Sequence, residues 1–381
     1  MRPHLLHTLI TLCLCGLVGA ALAQGVDVQR VLIGVTSPFS GPRSEGGGDA
    51  LNGARLAIDR LNQQNLQIGD KPVRFELLVK DDHGMPARGM QVAREFAQAG
   101  VSGVIGPMTS AVALAVARIY NQNRVPMLTV ATHPAVTRPD YEYVFRLLAS
   151  DAELGRKMVQ YAASSLKVRR VAVIQDGSGY AEGLVSELQA ASQKEGVQLA
   201  VQLQLSEAAH DPELRGVLQQ VRNAKSDAVF FAGYPPLSAR ILQEMHQMRL
   251  ALPLMAGDAQ CSIEMLRLIG DFLDNGVYCV QSGVWLTRVA DGAVFAAAFQ
   301  TRYSQPPDVY AGNFYDGVML LAQAMKTAGS TRPEQFLPAL ARSRYKGVTA
   351  TYEFNARHDL KDSAATILRL KDGALVPMAS F

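Results

Sequence analysis

The sequence predicts an α/β protein made of two parallel-sheet units, and three observations carry that expectation. Short β-branched runs alternate with amphipathic segments of about 10–15 residues, the pattern of parallel sheets covered on both faces. The chain has 381 residues, which at about 150 per domain suggests two or three units. Its composition, 48% hydrophobic and 19% charged, can fill sizeable cores and is unlike that of a disordered chain. One Trp, 18 Pro and 32 Gly exclude collagen-like and low-complexity architectures.

In chain order, Met1 to Ala23 reads as a secretory signal peptide. Arg2 gives the positive n-region, Leu5 to Leu22 is almost free of charge, and Ala21-Leu22-Ala23 is an A-x-A cleavage site. The mature chain then begins near Gln24; an uncleaved anchor, or a lipid on Cys13 or Cys15, is the alternative. Strands are expected at Val31–Val35, Phe75–Val79, Val101–Ile105, Met127–Val130, Val171–Ile174, Ala200–Leu205, Ala228–Ala232, Leu254–Ala256 and Val277–Val280. Between the first two, Leu51, Ala54, Ile58 and Leu61 share one helical face. Further helices are expected at Ala87–Ala99, Ala111–Asn121, Glu182–Glu195, Glu213–Ala224 and Leu237–Arg249. No long linker rich in Pro, Gly or Ser follows Gln24, so short strand-like crossovers should join the units.

Open parallel sheets bind ligands beyond the carboxyl ends of their strands, so the turns after strands carry the functional information. The first holds Gly46, Gly47 and Gly48 before a helix, without a dinucleotide or nucleoside-triphosphate fingerprint; a flexible rim loop is expected. Ser110 stands at the N-cap position of the helix after Val101–Ile105, where its hydroxyl and the helix dipole suit either simple capping or a carboxylate. The later turns present Thr132, Tyr180, Tyr234 and Asp258. Together they would face one cleft with two hydroxyls, two aromatic walls and one carboxylate.

Other chemistries find little support. A net charge of +3 gives no electrostatic footprint for nucleic acid. There is no H-E-x-x-H or G-x-S-x-G, and His83, His133, His210, His246 and His358 lack metal-ligand spacing. No enzyme activity, metal or cofactor is therefore expected. Asp81 and Asp82 are adjacent and should point apart, serving loop structure. Of four cysteines, Cys261 and Cys279 remain after the leader is lost. In an exported chain they form either a bridge, contributing about 3 kcal/mol, or two buried thiols.

From Val31 to Phe381 the chain resembles the periplasmic branched-chain amino-acid-binding proteins of ABC importers, the leucine/isoleucine/valine-binding type. The segments that carry the resemblance include IGVTSPFSGP, GDALNGARLAIDRLN, GVIGPMTSAVALAVARIY, RVPMLTVATHPAVT, RVAVIQDGSGYAEGL, DAVFFAGYPPLSARILQEM and LMAGD, in the family's order. The resemblance implies a type I periplasmic binding protein fold: two Rossmann-like lobes joined by three hinge crossovers, closing on ligand. It divides the chain into the leader 1–23, a first lobe of 24–148 plus 283–362, and a second of 149–282 plus 363–381.

The family's carboxylate-binding Ser and Thr match Ser110 and Thr132, in a turn one residue shorter than usual, so that Val130 or Ala131 supplies the carbonyl that receives an ammonium. The family's pocket aromatics match Tyr180, Tyr234 and, more weakly, Tyr310, with Ala181 and Ala232 replacing glycines beside them. Its acidic residue matches Asp258, one methylene shorter than the usual Glu. An early Tyr of the leucine-binding members falls at Gly46, and the family's early disulfide is missing. The resemblance thus implies a monomeric periplasmic receptor that delivers a small amino acid to a membrane permease. A receptor for an aromatic or other small carboxylate, an amide or urea is the alternative, as is a sensor that docks on a signalling partner.

Overall fold

The computed structural model describes residues 28–41, 44–137, 141–270 and 276–381. The expected leader, with Cys13 and Cys15, lies outside them.

The first sheet is built by β1 (Gln29–Ser37), β2 (Gln67–Ile68), β3 (Lys71–Asp81), β4 (Gly103–Ile105), β5 (Met127–Thr129) and β6 (Val144–Arg146). Their spatial order is β2-β3-β1-β4-β5-β6, parallel except for the edge strand β2. Between them run α1 (Glu45–Gln63), α2 (Pro86–Ala99) and α3 (Ser110–Gln122). Both faces of this sheet are covered. Val31, Ile33, Val35 and Phe75 share one apolar cluster with Ala54 and Ile58 of α1. Val104, Met127 and Val144 share another with Phe96 of α2 and Val116 of α3. This is why β1, β4 and β5 read as continuous apolar runs rather than as alternating ones.

After β6 the chain enters α4 (Asp151–Ser164) and a second unit of β7 (Arg170–Gln175), α5 (Gly179–Glu195), β8 (Gln198–Gln204), α6 (Asp211–Asn223), β9 (Ala228–Ala232), α7 (Pro235–Gln247), β10 (Leu254–Ala256), α8 (Ile263–Ile269) and β11 (Val277–Ser282). It then returns through α9 (Ala290–Tyr303), α10 (Ala311–Ala328), α11 (Pro333–Ala341) and the small ribbon β12 (Tyr345–Lys346) and β13 (Thr351–Tyr352). A last hairpin, β14 (Ala365–Lys371) and β15 (Ala374–Ser380), pairs antiparallel onto β11. The second sheet therefore runs β15-β14-β11-β10-β9-β7-β8. Cys261 and Cys279 are joined by a disulfide, with an S–S distance of 2.07 Å.

The chain passes between the sheets three times, and the passages lie side by side. The backbone N–H of Ala149 donates to Ser282 Oγ at 2.7 Å, and Gly283 N–H donates to Ala364 O at 2.7 Å. Lys157 Nζ donates to Ser363 O. No helix among the described residues is long and apolar enough to cross a membrane.

Two local expectations are corrected. Gly46–Gly48 form no rim loop, because helix α1 already begins at Glu45 and takes them into its first turn. The N-cap of α3 is Thr109, in extended conformation, and Ser110 is already helical. Asp81 and Asp82 do serve loop structure. Asp82 accepts from Thr36 Oγ1 at 2.9 Å, while Asp81 accepts from the Phe39 and His83 backbones.

Candidate functional site

In the first sheet the chain turns from β1 outward to β3, then back across β1 to β4; in the second, β7 lies between β8 and β9. Each is a topological switch point, where diverging loops leave a crevice beyond the strand ends. The turns after β4, β5, β7, β9 and β10 meet there around a cavity of about 60 Å³. At ~10–15 Å³ for each water, that space holds roughly four to six waters, the scale of a small solute.

The first-sheet wall is made of short polar groups. Thr109, Ser110, Val130 and Thr132 line the cavity. The buried Thr109 hydroxyl makes no hydrogen bond among the described residues, so the N-cap residue of α3 does not cap it through its side chain. The first N–H groups of that helix thus add their dipole to this wall. The β5 turn is held in place from behind. Thr129 Oγ1 donates to Pro107 O at 2.7 Å and accepts from Ala131 N–H at 3.0 Å. Arg146, fully buried at the end of β6, donates to Ala131 O at 2.5 Å, to His133 O at 3.1 Å and to Asp359 at 2.7 Å.

The second-sheet wall is aromatic around one carboxylate. Tyr180 sits in the first turn of α5 and Tyr234 at the N-cap of α7, their ring centroids 5.4 Å apart. Asp258 follows β10 and is 2% exposed. Tyr180 donates to its Oδ1 and Tyr310, at the N-cap of α10, donates to its Oδ2, both at 2.9 Å. Burial pushes the Asp258 carboxyl above its ordinary range, partly offset by those hydroxyls. Burial and the Asp258 charge also hold both tyrosines well above theirs, so they stay donors. A Cβ at Gly257 would lie 2.2 Å from the Tyr180 hydroxyl, so only glycine lets the ring reach Asp258.

Of the residues expected from sequence, Ser110, Val130, Thr132, Tyr180, Tyr234 and Tyr310 line one cavity. Asp258 sits behind the tyrosines, held by two of them, while Ala131 turns its carbonyl to Arg146. Gly46 also lines the cavity, and a Cβ there would come no nearer than 3.8 Å to Met108 or Tyr310. Sequence reasoning missed Thr109 and Arg146. Arg146 stands in the segment VFRLL, where a charge interrupts an apolar run, a signal for buried polar contacts. Among the described residues no three His, Cys, Asp or Glu side chains are grouped to hold a metal ion.

Residues 30–374 match the family model described as periplasmic binding protein. A Leu/Ile/Val-binding protein of Rhizobium johnstonii is 27% identical over 326 residues, covering 85% of this chain and 86% of that one. A leucine-, isoleucine-, valine-, threonine- and alanine-binding protein of Pseudomonas aeruginosa is 25% identical over 346 residues, 91% of each chain. Among solved structures, a leucine-binding protein of Thermotoga maritima has a TM-score of 0.84 at 23% identity, over 92% of this chain and 98% of that one. A solute-binding protein of Rhodopseudomonas palustris, in complex with 3,4-dihydroxybenzoic acid, has a TM-score of 0.78 at 20% identity, over 92% and 97%. The chain belongs to the periplasmic binding proteins, with their type I fold and with relatives among the Leu/Ile/Val-binding members.

Proposed function

We propose that this protein is the periplasmic solute-binding component of an ABC importer, which captures a small amino acid between its lobes and delivers it to a membrane permease. The polarity of the cavity carries the reading. Hydroxyls and a helix N-terminus form one wall, and a buried carboxylate stands behind the other, as a zwitterion requires. The ligand carboxylate meets Ser110, the first N–H groups of α3 and Thr132. The ammonium meets Asp258 and the Val130 carbonyl, since Ala131 O already accepts from a guanidinium. Tyr180, Tyr234 and Tyr310 enclose the side chain, each with an apolar ring and a polar tip. The amino-acid-binding relatives support the same ligand class.

In this reading the lobes are 24–148 plus 283–362 and 149–282 plus 363–381. They hinge at Leu148–Ala149, Gln281–Ser282 and Asp362–Ser363. A ligand held by both walls binds the closed form better than the open one, which is what drives closure. The receptor is a monomer exported with cleavage after Ala23, and it acts without catalysis or cofactor. A second reading, an aromatic or other small carboxylate, an amide or urea, has the open space at Gly46 in its favour.

Mass spectrometry of ligand released from purified protein tests the proposal directly, and titration calorimetry with that ligand tests the roles. For an amino acid, Asp258→Ala leaves a buried cation unpaired, a cost of roughly 3–5 kcal/mol, or at least about 100-fold in affinity. Ser110→Ala weakens binding of any carboxylate. A ligand that keeps its affinity in Asp258→Ala and loses it in Ser110→Ala is an acid without an amine, and overturns the amino-acid reading.

A further inference from the structure

A second cavity, of about 430 Å³, shares a wall with the first. Val309 lines both, and Ser262 lines the first while its neighbours Cys261 and Ile263 line the second. Its size falls within the ~300–1,000 Å³ of small-molecule pockets. The lining comes from both units. Leu266 of α8 and Leu375 of β15 pack against the apolar cluster of the second sheet, whereas Ala296 belongs to α9, whose Phe295 and Phe299 sit in the cluster of the first.

The cavity is built before any ligand arrives. Pro306 and Pro307 line it with a fixed φ, and the residue after them is tied on three sides. Asp308 N–H donates to Asp49 Oδ2 at 2.5 Å, while Asp308 Oδ1 accepts from Ile263 N–H at 3.1 Å and from Val309 N–H at 2.8 Å. Cys261 is fixed by its disulfide to Cys279. A preformed site spares the ligand the cost of ordering its walls.

The chemistry of the lining is selective. It is mostly apolar and holds no Lys, Arg or His; its one charged residue is Asp308. Trp285 is half-buried and packs against the second sheet's cluster. Gln281 lies on the face of β11 that carries Val277 and Cys279. Among the described residues neither the Gln281 amide nor the Trp285 indole N–H has a hydrogen-bond partner. An indole supplies an aromatic face and a donor, and an amide both donates and accepts.

We propose that this cavity is a second ligand site, separate from the interlobe cavity, for a neutral aromatic molecule bearing one hydroxyl or amide group. The ring lies among Trp285, Leu266 and the two prolines, and its polar group exchanges hydrogen bonds with Gln281 and the Trp285 N–H. A carboxylate is turned away because no cation lines the cavity to meet it. The inference stands whichever solute the interlobe cavity takes.

The test uses p-cresol as probe, with benzoate and benzylamine as charged controls and toluene as the ring without a hydroxyl. Trp285 is the only tryptophan of the chain, so its fluorescence reports occupancy of this cavity, and calorimetry gives the affinities. Emission should change saturably with p-cresol, which should bind at least about tenfold more tightly than either charged control. Ala296→Phe places a ring inside the cavity and should abolish binding. Gln281→Leu keeps the bulk and removes the amide; it should weaken p-cresol about fivefold and leave toluene unchanged. The two variants alter different elements, so one that does not fold leaves the other to decide. No saturable change in Trp285 emission overturns the proposal, as does a charged control that binds as well as p-cresol. Unchanged p-cresol affinity in Ala296→Phe also overturns it, because the probe then sits elsewhere, and unchanged affinity in Gln281→Leu overturns the assigned ligand class.

Discussion

Tyr310→Phe isolates one contact across the cleft. Tyr310 begins α10, which packs on α1 beside the first sheet, whereas Asp258 follows β10 in the second. The hydroxyl at 2.9 Å from Oδ2 is therefore a link between the lobes, and phenylalanine removes it while keeping the ring. A hydrogen bond to a charged group contributes about 1.5–3 kcal/mol, so its loss should shift the closed-to-open ratio roughly 10- to 150-fold. The structure supplies its own control. Tyr180 donates to the same carboxylate over the same 2.9 Å, but both partners belong to the second sheet's loops. Small-angle scattering of ligand-stripped protein should show a larger radius of gyration for Tyr310→Phe, and no change for Tyr180→Phe. In an Asp258→Ala background Tyr310→Phe should have no further effect, since the acceptor is gone. Identical scattering from Tyr310→Phe and the wild type would refute the link.

Three further outcomes follow from particular atoms. Gly257→Ala places a methyl group 2.2 Å from the Tyr180 hydroxyl and 2.8 Å from Leu184; expelling the ring should cost roughly 1–3 kcal/mol of stability, read in urea, together with most ligand affinity. Reducing the Cys261–Cys279 bridge, with its sequence separation of 18, should lower stability by about 3 kcal/mol, and alkylation before reduction should label neither Cys261 nor Cys279. Asp49 and Asp316 are both raised from 3.8 to about 6 by burial. Their contribution is fully present below the unfolded value and is lost as pH rises through 6, so each should remove roughly 1–1.5 kcal/mol between pH 5 and 7.5. Denaturant titrations across that window should show the decline, and Asp49→Asn should flatten its share of it.

What the sequence makes legible here is local. Strands such as Ala228–Ala232 and Leu254–Ala256 announce themselves as short apolar runs, and the structure places them at those residues. The turns after them could be searched for polar groups because parallel sheets bind at one end only. Strand β6 and the hairpin of β14 and β15 do not stand out in the sequence, since Arg146 cuts the apolar run of β6 short after two residues and an antiparallel edge breaks the alternation of strand and helix. The N-cap of α3 moved to Thr109 because two adjacent hydroxyl residues offer the same cap signal, and backbone torsion, not residue type, decides between them.

Pairings over long separations leave no trace in a local window, and they determine what the cleft can do. Tyr180 and Asp258 are 78 residues apart, and Arg146 and Asp359 are 213 apart. As separate turn residues, Tyr180 and Asp258 look like an aromatic wall and a free acid. Brought together with Tyr310, they give a carboxylate with both oxygens already accepting hydrogen bonds, so in the proposed reading an incoming ammonium would share Asp258 with two hydroxyls or displace one. Displacing Tyr180 opens nothing, because its ring stays within its own lobe. Displacing Tyr310 breaks the link across the cleft. In the proposed reading, the carboxylate that would receive the ligand therefore also helps hold the empty lobes together. Ligand binding would then exchange one bridging contact for another, and affinity would measure the difference between them.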